Sequence, residues 1–301
     1  MEVHQLIKNE SLHTLIELPW SKSYLALMRP TEREDMLAKK YVFSKHDNEF
    51  IYEHWDKINR LTLIDPFRMG KLMDLVIENV NVPGDIVECG SYKGGSGIFM
   101  GLMLKKLGSN KHIHLFDSFE GLPDPDETHD RGYKKGQFKS NFDKLTALIE
   151  SYELSDNITL HKGWFNATVP KYIENLNGDI SLFHIDCDLY SSTMDCFPQL
   201  YPKMSEDGIV VLDDFNDGGR GEKKAVLEIL DKAGDEKNII VSTAPQSYFY
   251  LRNDDKKDSI LDGKIGYDIK ELLDNKDYLK WLEETINLDY EKELKAIHNN
   301  G

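Results

Sequence analysis

The stretch Ile86–Gly97 reads IVECGSYKGGSG, and the apolar run Ile98–Leu107 (IFMGLMLKKL) follows it directly. A short apolar strand ends in an acid, Glu88. Gly90, Gly94, Gly95 and Gly97 then make a turn, and the run after it reads as a buried helix. Glycine lets a backbone turn tightly and approach a ligand with no Cβ in the way. A helix N-terminus adds unpaired N–H groups and a positive dipole end. Strand, glycine turn and helix start together predict a nucleotide-like ligand over this turn.

Working outward, short apolar runs recur. Ile113–Phe116 (IHLF) ends at Asp117, and Ile158–His161 is a third strand. Ile180–Ile185 (ISLFHI) ends in Asp186-Cys187-Asp188, and Ile209–Leu212 (IVVL) ends in Asp213-Asp214. Ile239–Ser242 and Tyr248–Leu251 follow at close spacing. Between the runs lie helical patterns: Leu72, Val76, Ile77 and Val80 on one face, Phe142–Tyr152, Ser192–Met204 interrupted by Pro198 and Pro202, and Lys223–Lys232. Continuous apolar strands alternating with helices predict an α/β fold, a mostly parallel sheet covered on both faces. The closely spaced final pair predicts one antiparallel edge strand. After Asp117 comes a long loop rich in Pro, Gly and Asp, SFEGLPDPDETHDRGYKKGQF, and loops of this kind are commonly functional.

Three segments follow. Residues 1–60 are polar with scattered aromatics and helical patches at Glu32–Tyr41 and Asn48–Asn59, an N-terminal extension suited to packing or to covering a substrate pocket. Residues 61–251 form the core. Residues 252–301 are a C-terminal extension: a polar connection over 252–276, then an amphipathic helix, Tyr278–His298.

Across 301 residues the formal charge is −16 and 40% of residues are apolar. Such a surface is a poor match to nucleic acid or an anionic membrane. Cys89, Cys187 and Cys196 have no metal-ligand spacing and suit a reducing compartment. The N-terminus lacks a signal-peptide pattern, and no stretch approaches the ~18 apolar residues of a membrane span. The expectation is a soluble, cytoplasmic protein.

In an open parallel sheet, ligands bind outside the carboxyl ends of the strands. Here four strands deliver acids there: Glu88, Asp117, Asp186 with Asp188, and Asp213 with Asp214. Crowded acids repel unless hydroxyls or a cation satisfy them. Ribose hydroxyls suit Glu88 or Asp117. A divalent ion suits Asp186, Asp213 and Asp214, and hard oxygen donors favour Mg²⁺, then Ca²⁺ or Mn²⁺, over zinc. Without a ligand, Asp188 reads as a loop or cap residue and Asp213-Asp214 as a turn. Glu88 then reads as partner of a basic residue such as Arg68. His161 and His184 lie within strands and read as packed, hydrogen-bonded histidines; Met69, Met73, Met100 and Met103 read as core. The turn is not G-x-G-x-x-G, and Asp117 stands 27 residues past Gly90, longer than the ~20 of a dinucleotide fingerprint. An acid at the mouth also suits S-adenosylmethionine, a cation without phosphate, better than a pyrophosphate.

VPGDIVECGSYKGGSGIFM, LFDSFEGLP, HKGWFNATVP, HIDCDLYSST and GIVVLDDF, in that order, resemble the macrocin-type sugar O-methyltransferases. The resemblance covers roughly Val82–Leu230. It implies a Rossmann-like class I methyltransferase fold with a seven-stranded sheet, dependent on S-adenosylmethionine and a divalent metal. It implies that Glu88, Gly90, Tyr92, Gly94, Gly95 and Ser96 hold the methionine end of the cofactor. It implies Asp117 on the ribose with Ser118 and Phe119 beside it, and Gly163, Trp164 and Phe165 near the adenine. Thr62 lies in the segment that closes over the cofactor. Asp186, Asp213 and Asp214 match the metal ligands, and Asp186 also the general base. The acceptor implied is a small molecule, a sugar hydroxyl or glycoside, and the family also implies a homo-oligomer. A catechol-like acceptor is the nearest alternative, although that group's lysine base is replaced here by Asp188-Leu189-Tyr190; an NAD-dependent oxidoreductase is the next.

Overall fold

In a computed structural model, residues 44–215 and 221–233 are described, together with the backbone of three short strands beyond them. The patterns at Glu32–Tyr41 and Tyr278–His298 lie outside the described residues.

The chain opens with α1 (Asn48–Ile58) and α2 (Pro66–Asn79). Asp47 caps α1 by accepting the Phe50 N–H, a bond type worth about 1 kcal/mol. Then come β1 (Asp85–Cys89), α3 (Gly95–Leu107), β2 (Ile113–Asp117), α4 (Phe142–Ser151) and β3 (Ile158–Lys162). The second half holds α5 (Phe165–Asn175), β4 (Ile180–Ile185), α6 (Tyr190–Leu200), a 3₁₀ turn (Tyr201–Lys203), β5 (Met204–Leu212) and α7 (Gly221–Ala233). It ends in β6 (Ile239–Ser242), β7 (Ser247–Tyr250) and β8 (Gly266–Asp268).

The sheet order is β3-β2-β1-β4-β5-β7-β6-β8. Strands β1 to β5 are parallel, and strand order reverses between β1 and β4. Such a reversal opens a crevice at the strands' carboxyl ends. Two details differ from the sequence expectation. Among the described residues the sheet has eight strands rather than seven, because Gly266–Asp268 in the polar connection pairs with β6. The antiparallel strand β7 is interior, between β5 and β6, and the edge falls to the antiparallel β8. A strand of three residues is too short to show alternation.

Alternate residues of the strands feed two cores. Ile86, Leu115, Leu182 and Ile209 pack with α1, α2, α3 and α4 on one face. Val87, Phe116, Phe183 and Val210 pack with α5, α6 and α7 on the other. Phe50, Ile51 and Ile58 of α1 are fully part of the first core. Met69, Met73, Met100 and Met103 are all at 0% exposure in it, as their pattern predicts. Helix α5 has no counterpart in the sequence reading. It runs through Pro170, as α6 runs through Pro198 where an interruption was expected. Among the described residues no helix is long and apolar enough to cross a membrane.

Candidate functional site

A cavity of about 490 Å³ opens at the carboxyl ends of β1, β2, β3, β4 and β5. Its first wall is the glycine turn. Gly90 has φ +96, and a Cβ there would stand 1.6 Å from the Asp186 carbonyl oxygen. Helix α3 starts at Gly95 with no side-chain cap, and the Gly95 N–H donates to the Leu61 carbonyl at 3.1 Å. That bond lays the Leu61–Ile64 segment across the helix start, and Thr62 and Ile64 line the cavity. Ser91 Oγ is buried and makes no hydrogen bond, so a polar ligand group would satisfy it.

Asp117 forms the second wall. Its Oδ2 accepts the Tyr92 N–H at 2.8 Å and its Oδ1 the Phe119 N–H at 2.6 Å. Burial pushes its carboxyl up to about 6 despite those two donors. Gly163, Trp164 and Phe165 line the cavity beyond it, at the start of α5.

The third wall is acidic. Asp186, Asp213 and Asp214 bring carboxylate oxygens within 4.8 Å of one another. The parallel ladder makes this meeting: the Asp186 N–H donates to the Cys89 carbonyl and the Asp213 N–H to the Ile185 carbonyl, each at 2.9 Å. Burial, then Asp213 and Asp214, hold the Asp186 carboxyl well above the usual carboxylate range. Three hard oxygen donors in one place, mutually repelled, fit a divalent cation such as Mg²⁺. Glu222, at the start of α7, is a further acid at 0% exposure; neither of its oxygens makes a hydrogen bond, and burial and then Asp214 push its carboxyl up.

Among the described residues, the cavity lining carries six aspartates (Asp117, Asp186, Asp188, Asp195, Asp213 and Asp214) and one cationic side chain, Arg68. Arg68 donates to Asp213 Oδ2, to Asp65 Oδ2 at 2.8 Å and to the Leu63 carbonyl at 3.2 Å. Asp188 has φ +60 and accepts from the Tyr133 hydroxyl, which anchors the long loop after Asp117 to the end of β4. Phe138 of the same loop stands edge-on to both Tyr133 and Tyr92. The loop is thus a wall of the cavity, a role its composition did not specify.

Of the residues singled out in the sequence, Thr62, Gly90, Tyr92, Ser96, Asp117, Ser118, Gly163, Trp164, Phe165, Asp186, Asp213 and Asp214 meet around this cavity. Gly94, Gly95 and Phe119 support it from behind without lining it. Glu88 does not line it either: its Oε1 faces His184 Nδ1 at 2.8 Å, and both residues are at 0% exposure. The alternative pairing of Glu88 with Arg68 is also replaced, since Arg68 reaches Asp213 and Asp65. His161, as expected, is packed: it stacks on Phe116 at 4.2 Å and meets His114 at 3.1 Å.

The strand order, the glycine turn after β1 and the acids after β2, β4 and β5 define a class I methyltransferase fold. The chain belongs to the macrocin O-methyltransferase (TylF) family, whose sequence model matches residues 16–234. It is similar to the 8-demethyl-8-(2,3-dimethoxy-alpha-L-rhamnosyl)-tetracenomycin-C 4'-O-methyltransferase of Streptomyces olivaceus, 35% identical over 143 residues, 44% of this chain and 54% of that one. It is also similar to the demethyldecarbamoylnovobiocin O-methyltransferase of Streptomyces niveus, 32% identical over 169 residues, 52% of this chain and 63% of that one. The chain thus spans between about half and two thirds of these curated relatives' lengths. Among solved structures, the O-methyltransferase NovP superposes with a TM-score of 0.55 at 27% identity, over 64% of this chain and 82% of that one.

Proposed function

We propose that this protein is an O-methyltransferase that moves a methyl group from S-adenosylmethionine to a hydroxyl of a sugar or glycosylated small molecule. One observation carries the reading. The three-carboxylate cluster faces the same cavity as a glycine turn followed by a ribose-ready acid. The family and a relative named for a rhamnosyl substrate support the acceptor class.

S-adenosylmethionine supplies the methyl group on a sulfonium. Gly90, Tyr92 and Ser96 would bind its methionine end, with Gly94 and Gly95 shaping the turn. Asp117 would accept from the ribose hydroxyls, and Gly163, Trp164 and Phe165 would flank the adenine. Among the described lining residues, six aspartates against one arginine suit a cationic ligand. Asp186, Asp213 and Asp214 would hold Mg²⁺, which when bound lowers the pKa of an acceptor hydroxyl. Asp186 would take the acceptor's proton on its carboxylate as the O–CH₃ bond forms and the S–CH₃ bond breaks. The turn and the acid cluster, joined at Gly90 and Asp186, align donor and acceptor.

Thermal unfolding with S-adenosylhomocysteine and with NAD, each with and without Mg²⁺, tests the reading. A ligand at about 100 times its dissociation constant adds about 2.7 kcal/mol. A midpoint raised by S-adenosylhomocysteine alone is the expected result; one raised by NAD alone overturns it.

A further inference from the structure

Glu88 and His184 occupy neighbouring register positions on β1 and β4, and His184 pairs in turn with Val211 on β5, two residues before Asp213. Their side chains emerge on the face where Ile86 and Leu182 enter the first apolar core. There they form a polar row that ends at a metal-ligand candidate. His184 Nδ1 meets Glu88 Oε1 at 2.8 Å, and His184 Nε2 points to Asp213 Oδ1 at 3.7 Å, an ion-pair separation rather than a hydrogen bond. His184 Nε2 is buried and makes no hydrogen bond. On the opposite side, Arg68 holds Asp213 Oδ2. A carboxylate and an imidazole at 0% exposure in an apolar layer are costly, and partners offset that cost only where the geometry is maintained.

We infer that Glu88 and His184 are positioning residues for Asp213, setting the divalent-ion affinity of the acid cluster rather than binding the cofactor. The inference rests on the metal part of the proposed function. Ligating carboxylates are oriented by an outer layer of hydrogen-bonding groups, and loss of such a partner lowers metal affinity about 10- to 100-fold. Glu88 fixes the imidazole ring, and the ring faces one oxygen of Asp213 while Arg68 takes the other. Glu88 has no edge on the cavity through which to touch a cofactor.

Calorimetric titration with Mn²⁺, and separately with S-adenosylhomocysteine, tests this on the wild-type chain and three variants. Glu88→Gln removes the anchor's charge. His184→Asn keeps a donor toward Glu88 and loses the group facing Asp213; His184→Gln keeps an amide nitrogen near the Nε2 position. Glu88→Gln and His184→Asn are expected to lose about 10- to 100-fold in Mn²⁺ affinity, with a smaller loss for His184→Gln. S-adenosylhomocysteine affinity should stay within about threefold in all of them, a split that a general loss of folding does not produce. Should Glu88→Gln fail to fold, the His184 pair carries the test. Unchanged Mn²⁺ affinity, or a tenfold loss for S-adenosylhomocysteine alone in Glu88→Gln, overturns the inference. Wild-type protein that binds S-adenosylhomocysteine but no Mn²⁺ overturns it and leaves the cofactor reading standing. Protein that binds Mn²⁺ with the expected variant losses but takes no S-adenosylhomocysteine sustains the inference and removes the cofactor reading.

Discussion

Gly90 packs its Cα against the carbonyl of Asp186 so closely that a Cβ would lie 1.6 Å from the oxygen. The glycine turn and the acid cluster are therefore in direct backbone contact, and Gly90 also holds φ +96, where L side chains are strained. Gly90→Ala combines strain with overpacking and is expected to cost about 3 kcal/mol or more in denaturant unfolding. If the variant folds, the end of β4 must move, so Mn²⁺ and S-adenosylhomocysteine affinities should fall together. Wild-type stability with both affinities intact would show that the contact yields to a methyl group.

Asp117 gives a pH dependence of definite sign. Burial raises its folded pKa to about 6, from an ordinary value of 3.8. Between those values the folded state keeps a proton that the unfolded state has released. Its contribution to stability is therefore full below 3.8 and lost as pH rises through about 6. Under the proposed function ligand binding runs the other way, because ribose hydroxyls would donate to the ionised carboxylate. S-adenosylhomocysteine affinity should fall as pH drops through about 6, approaching tenfold per pH unit. Asp117→Asn should bind weakly and with a flat profile over the same range. A flat profile in the wild-type chain would remove Asp117 from the site.

What could be read in the sequence was what runs along the chain. Buried parallel strands are continuous apolar runs, so β1 to β5 and the acids at their ends were legible. Helix α5 was not, because Pro170 removes a helical N–H and marks a break. The bond it would have made falls at Asn166, an exposed residue whose carbonyl water can serve. The support of the site was also hidden, because it links distant residues: Arg68 and Asp213 are 145 apart, and Glu88 and His184 are 96 apart. Glu88 shows the same separation: an acid at the end of β1 is plain in IVECG, but the histidine that faces it comes from β4.

Lys111 closes the opposite end of the sheet. Its ammonium donates to the Val82 carbonyl, to the Gly84 carbonyl at 2.6 Å and to Ser181 Oγ at 2.7 Å. These bonds tie the turn before β1 to β2 and β4. Burial lowers its pKa to about 8 even with Asp85 nearby. Lys111→Met keeps the stem and leaves those acceptors without this donor, so a loss of about 1–3 kcal/mol is expected. The site lies at the other ends of the strands, so ligand affinities should be unchanged in the folded fraction. Full stability in chemical denaturation would mean that water replaces the ammonium at no cost.

Asp186 separates binding from chemistry. The side chain is half-buried at the cavity, Asp213 and Asp214 are buried beside it, and the Asp186 carboxyl is raised by burial and by their charge. Asp186→Asn retains the shape of the strand end and its backbone bond to Cys89, so S-adenosylhomocysteine should bind as before. It removes one of the three proposed metal ligands and the only proposed acceptor of the hydroxyl's proton. Turnover should fall by about 10²- to 10⁴-fold from loss of the base alone, and further through weaker Mg²⁺ binding. The measurement is methyl transfer from S-adenosylmethionine to whichever sugar or glycoside serves as acceptor for the wild-type chain, followed across a Mg²⁺ titration from the wild-type half-saturating level to large excess. Unchanged turnover would withdraw the base and metal assignments together. Turnover restored by excess Mg²⁺ would withdraw the base alone, because mass action can refill a weakened metal site but cannot replace a missing proton acceptor.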